Sequence, residues 1–122
     1  MSDVTESILL SVKKLCNVAP EYTAFDDDFI LWINAALSDV NQLGVGPAEG
    51  FEIEDEFAEW VDLLGESPIY NRVKAYVAKH VRLNFDPPGT SFGIEMIKNQ
   101  LEEMAYRIVA AQEDIEAEQE AG

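Results

Sequence analysis

Three consecutive aspartates, Asp26, Asp27 and Asp28, a single histidine, His80, and a single cysteine, Cys16, are the side chains of this 122-residue chain best suited to chemistry. Carboxylates in a row could hold a hard divalent cation. Successive helical residues point about 100° apart, however, and no regular calcium-loop spacing follows, so Asp26 reads as a helix cap, with Asp27 and Asp28 at the positive end of the helix dipole. His80 falls on the apolar side of a helical segment and has no second histidine or cysteine pair to accompany it, which makes it a buried structural histidine rather than a ligand or base. Cys16 alone can form neither an internal disulfide nor a thiolate cluster, and nothing demands an oxidising compartment. The chain carries no phosphate-cradling glycine loop, nucleophile elbow or zinc spacing. No catalytic, metal or cofactor site is expected, and the reading is of a non-enzymatic protein.

Charge is the most unusual global property, with 24 acidic against 8 basic side chains and a formal net charge of −16. Duplex DNA and anionic membranes both select Lys and Arg, so neither is an expected ligand. No apolar run approaches the length of a membrane span, and no signal peptide opens the chain. The charges are unevenly placed. Eight acidic residues and no basic one lie between Glu49 and Glu66, whereas Arg72, Lys74, Lys79 and Arg82 hold half of the basic charge.

The elements that must position these groups are helical, and strand signals are weak. A first helix is expected from about Val4 to Cys16, with Asp3 and Glu6 as a capping pair and Val4, Ile8, Leu9, Val12 and Leu15 as its apolar stripe. A second runs from about Asp27 to Leu43. Asp26 is its expected cap, Phe25 staples against Ile30, and Gly44 supplies the left-handed stop.

The connection from Val45 to Ser67 is too apolar for a solvated tether. Asp55 to Leu64 is expected to form a short helix burying Phe57, Trp60, Val61 and Leu64. The segment either closes its own core as a flap or docks on a neighbouring subunit. The third main helix starts at Ser67 as cap with Pro68 in the first turn, and reaches about Asn84. Ile69, Val73, Tyr76, Val77, His80 and Leu83 form its apolar face. Arg72, Lys79 and Arg82 lie within about 80° of one another around Ala75, forming a basic stripe. Phe85-Asp86-Pro87-Pro88-Gly89 ends this helix, because the residue before proline resists helical backbone. Thr90 or Ser91 caps a last helix whose apolar positions are Ile94, Ile97, Leu101, Met104, Ile108 and Ile115. The expected architecture is a mainly α, four-helix bundle-like subunit over 1–112, with an acidic flexible tail at 113–122.

The order of these segments resembles the small head-tail connector (adaptor) proteins beneath the portal of tailed bacteriophages. Its carriers are Phe25-Asp26-Asp27-Asp28-Phe29-Ile30 leading to Ile33-Asn34-Ala35-Ala36-Leu37, then Gln42-Leu43-Gly44-Val45-Gly46 and Glu59-Trp60-Val61-Asp62. Val73-Lys74-Ala75-Tyr76-Val77, Arg82-Leu83-Asn84-Phe85-Asp86-Pro87-Pro88 and Gln100-Leu101-Glu102-Glu103 to Tyr106-Arg107 complete it. Tyr106 stands where tryptophan is the family's usual residue. The resemblance implies a virion neck protein, assembled in the host cytoplasm. It would form a dodecameric ring on the portal protein, contact another neck or tail-completion protein, and continue a channel that DNA crosses without sequence-specific binding. A head-to-tail ring needs two different complementary patches. The candidates are Phe51, Glu52, Glu54, Glu56, Phe57 and Trp60 on the connection, and Arg72, Lys79 and Arg82 on the basic stripe. Phe85, Asp86, Pro87 and Pro88 would set the turn. The sequence leaves open an acidic DNA mimic or regulatory protein-binding module, with a metal-dependent enzyme at Asp26 to Asp28 as a third choice.

Overall fold

The computed structural model describes residues 6–121, and within them the chain is mainly helical. Its elements are α1 (Ile8–Leu15), α2 (Asp26–Gln42), α3 (Trp60–Leu64), α4 (Tyr70–Phe85) and α5 (Ser91–Ala121). Among the described residues no strand forms, and Ser7 and Glu59 make one isolated antiparallel bridge. Helix α4 is central, packing against α1, α2 and α5. Its Val73, Tyr76, Val77 and Val81 are buried with Ile8, Leu9 and Val12 of α1, Phe29, Ile33, Leu37 and Val40 of α2, and Ile108 of α5.

Several ends differ from the sequence expectation. Helix α1 is capped by Ser7, whose Oγ accepts the Leu10 N–H at 3.2 Å. Asp3 and Val4 lie outside the described residues, and Glu6 accepts hydrogen bonds from Lys74 Nζ and Tyr70 Oη, both at 3.2 Å. Leu15, the last residue of α1, is 49% exposed and does not join the buried stripe. Asp26 is the first residue of α2 rather than its cap, and no side chain caps that helix. Its carboxylate is drawn to Lys13 on α1, 2.7 Å away. The approach is off-axis for a hydrogen bond but close enough for an ion pair. Lys13 is fully buried, and its ammonium also donates to the carbonyls of Pro20 (3.1 Å) and Tyr22 (2.8 Å). Three oxygens thus compensate a charge that would be costly alone.

The stop of α2 follows the expected chemistry. Gly44 has φ +94°, its N–H reaches Asn41 O, and the Val45 N–H reaches Val40 O, the paired bonds of a Schellman end. Helix α4 begins two residues after Pro68, since Ser67 spends its Oγ and carbonyl on a turn to Ile69 and Tyr70. Pro68 therefore precedes the helix instead of occupying its first turn. Thr90 is the residue that caps α5, accepting the Gly93 N–H on Oγ1 at 3.1 Å. The acidic stretch expected to be a flexible tail continues α5 as far as Ala121, with Ile115 packed against the core. Alanine, glutamate and glutamine are good helix formers, and no breaker interrupts them.

Candidate interaction surface

The connection between α2 and α4 is fixed at two points. Asn34 of α2 donates from Nδ2 to the Ile53 carbonyl (3.0 Å) and accepts the Ile53 N–H on Oδ1 (2.8 Å), so one amide side chain pairs a whole peptide edge. Ile53 is buried beside it. Five residues on, the Ala58 carbonyl accepts the Ile8 N–H at 2.9 Å, and the Glu6 carbonyl accepts the Trp60 N–H at 3.2 Å.

Between these anchors Glu54, Asp55, Glu56 and Phe57 face solvent, and Phe57 is 77% exposed. This overturns the expectation that Phe57 is buried in a helix from Asp55 to Leu64. Asp55 Oδ1 accepts the Phe57 N–H at 2.9 Å, a local turn that competes with helix. Asp62 Oδ2 accepts the Glu59 N–H at 2.9 Å and sets the start of α3 at Trp60. In α3, Trp60 and Leu63 are buried, while Val61 and Leu64 are partly so. Trp60 donates from Nε1 to Ser11 Oγ at 2.8 Å, and the Ser11 hydroxyl donates in turn to the Ile8 carbonyl at 3.1 Å. Fully enclosed, Trp60 has no area to offer a neighbour and leaves the set of interface candidates; Phe51 is half-buried and Glu52 exposed.

The basic stripe of α4 borders a groove. Helix α5 runs antiparallel to α4, and recesses sharing residues follow the seam: Arg72, Ala75, Met104 and Arg107 at one end, Lys79, Gln100 and Glu103 in the middle, Ala78, Arg82, Ile97 and Leu15 at the other. Lys79 Nζ donates to Gln100 Oε1 at 2.8 Å, which orients the ammonium without neutralising it. Arg107 meets Glu103 one turn away on α5. Among the described residues, no carboxylate pairs with Arg72 or Arg82, and none between Glu52 and Glu59 pairs with any of these cations. Half of the eight basic residues thus rim one groove on a chain of net charge −16. Sequence placed three of them together; Arg107 joins only because α5 folds back.

The turn that folds α5 back is anchored at both ends. Phe85 packs its ring with Phe29 (4.9 Å between centroids), Phe25 (5.6 Å) and Trp32 (6.1 Å), tying the end of α4 to the start of α2. Phe25 also stacks edge-on with Tyr22 at 5.8 Å. On the far side Gly93 lies so close to the turn that an added Cβ would meet Pro88 Cβ at 2.6 Å. Gly93 is a requirement of the Pro87-Pro88 turn that composition alone does not reveal.

The groups first considered for chemistry are dispersed. Asp26 is committed to Lys13, Asp27 and Asp28 are exposed, and among the described residues no three His, Cys, Asp or Glu side chains converge. His80 is not enclosed in the core: its side chain is 22% exposed, with Nε2 at 3.2 Å from Asp39 Oδ2 across the α2–α4 contact. Burial pushes the Cys16 thiol up from its ordinary range, with Arg82 opposing and Asp86 adding to the shift. Among the described residues no helix is long and apolar enough to cross a membrane.

A family model described as phage connector protein matches residues 8–114 of the chain. Comparison with curated proteins and with solved structures gives no match.

Proposed function

The chain belongs to the phage connector protein family, and on that premise we propose that it is a non-enzymatic subunit of the virion neck, forming a closed ring beneath the portal and continuing the DNA channel towards the tail. Family membership carries the structural role. The observation that favours a ring is the separation of charge: a basic groove on α4 and α5, an acidic and aromatic surface on the connection, and no ion pair joining the two within one chain. Two different patches that complement each other generate head-to-tail association, which closes into a ring when the rotation permits. The large excess of carboxylates suits a wall past which phosphate must slide, since like charge disfavours adhesion.

In this reading the partners are further copies of the chain in a dodecameric ring, the portal protein above, and another neck or tail-completion protein below. The ring assembles in the host cytoplasm and ends in the virion neck. Co-expression with the portal protein of the same phage tests it. The expected result is co-purification that survives nuclease treatment, together with no retention of duplex DNA by the chain alone at physiological salt. Failure to associate with the portal, or tight and salt-sensitive DNA binding, would refute the reading.

A further inference from the structure

We propose that the α4–α5 groove is the seat for the tip formed by Glu54, Asp55, Glu56 and Phe57 of a second copy of this chain. The second copy as ring neighbour rests on the connector reading; the seat itself rests on geometry. The tip is held at both ends, by the Asn34–Ile53 pair and the Ile8–Ala58 bond, and its Asp55 turn fixes the Phe57 backbone. Anchoring of this kind lowers the ordering cost of binding. It presents three exposed carboxylates beside a ring that is 77% exposed, and among the described residues none of the three pairs with a cation of its own chain.

The groove offers the complement. Arg72, Lys79, Arg82 and Arg107 stand along its rim, and Ala75 and Met104 leave an apolar floor. Phe57 supplies apolar area against the floor, and the carboxylates set register against the rim. Because the groove and the tip are different surfaces, one copy can bind one neighbour through each, as a head-to-tail ring requires.

The test is a disulfide trap between two variants, each carrying Cys16→Ser to remove the native thiol. Glu56→Cys reports from the tip and leaves Phe57 in place; Ala75→Cys reports from the floor. The two are mixed under mild oxidation at high protein concentration, so that capture requires encounter but no stable ring. The expected heterodimer yield is about tenfold above that of a Phe92→Cys control paired with Ala75→Cys, the ratio given by about 1.4 kcal/mol of preference. Adding Arg72→Glu and Arg82→Glu to the Ala75→Cys chain abolishes the excess, and adding Glu54→Lys to the tip chain restores it. Circular dichroism of each variant checks that it is folded. A yield equal to the control, or an excess indifferent to charge reversal, overturns the seat. Loss of the trap with portal binding intact sinks this contact alone, whereas a working trap without portal binding sinks the connector role alone.

Discussion

Helices α4 and α5 lie side by side, yet they are built on opposite terms. In α4, 16 residues long, Tyr70, Val73, Tyr76, Val77, Ala78 and Val81 are buried. In α5, which has 31 residues, only Ile108 is buried among the described side chains, while Phe92 and Tyr106 are 75% and 74% exposed. The first is held by the core on three sides; the second rests on it along one stripe and keeps large apolar side chains in solvent. A helix with this much unburied surface is shaped by what it will meet, and the groove between the two helices is where a stable wall adjoins an adaptable one. The same contrast separates Trp60 from Phe57, three residues apart on the connection. One closes the core and the other projects from it.

Replacing Trp60 by alanine tests the first half of the contrast most severely. It leaves a cavity among α1, α3 and α4 and removes the donor to Ser11 Oγ, so the loss should be about 3–5 kcal/mol, read as a lowered denaturant midpoint. Phe57→Ala should change that midpoint by less than about 0.5 kcal/mol, and a large effect there would erase the distinction between the two aromatics. Lys13→Met removes the cation shared by Asp26 and the carbonyls of Pro20 and Tyr22. The expected cost is about 3 kcal/mol, with amide exchange accelerating between 17 and 25. Gly93→Ala drives a methyl into Pro88 and should cost about 1–3 kcal/mol while altering the angle of α5. Ending the chain after Gln112 removes a segment that, among the described residues, touches the core only through Ile115, and should cost no more than about 1 kcal/mol. A larger loss would show that α5 is held along its whole length.

Much of the helical order was legible because it follows local chemistry: the apolar face of α4, the glycine stop of α2 at Gly44, and the proline turn before α5. The family resemblance was legible for the same reason, as an ordered series of short segments. The misreadings occurred where distant partners decide. Asp26 looks like a cap until Lys13, 2.7 Å away in space but 13 positions earlier, claims it. Asp55 looks like the start of a helix until its carboxylate turns back on Phe57. Asn34, Ser11 and Gly93 carry no signal of their own, since their roles exist only opposite Ile53, Trp60 and Pro88. On the connection, the expected burial holds for Trp60, whose indole meets the Ser11 hydroxyl of α1, and fails for Phe57, which the Asp55 turn leaves in solvent.

The central claim is that two different surfaces of this chain join copies into a ring on the portal, and the mass of the intact complex tests it most directly. Native mass spectrometry of the chain purified with its portal protein should give one dominant assembly containing twelve copies. Assemblies built with Arg72→Glu and Arg82→Glu should lose copies together rather than one at a time. A complex holding only one or two copies, or a full complement that the groove reversal leaves intact, would contradict the account.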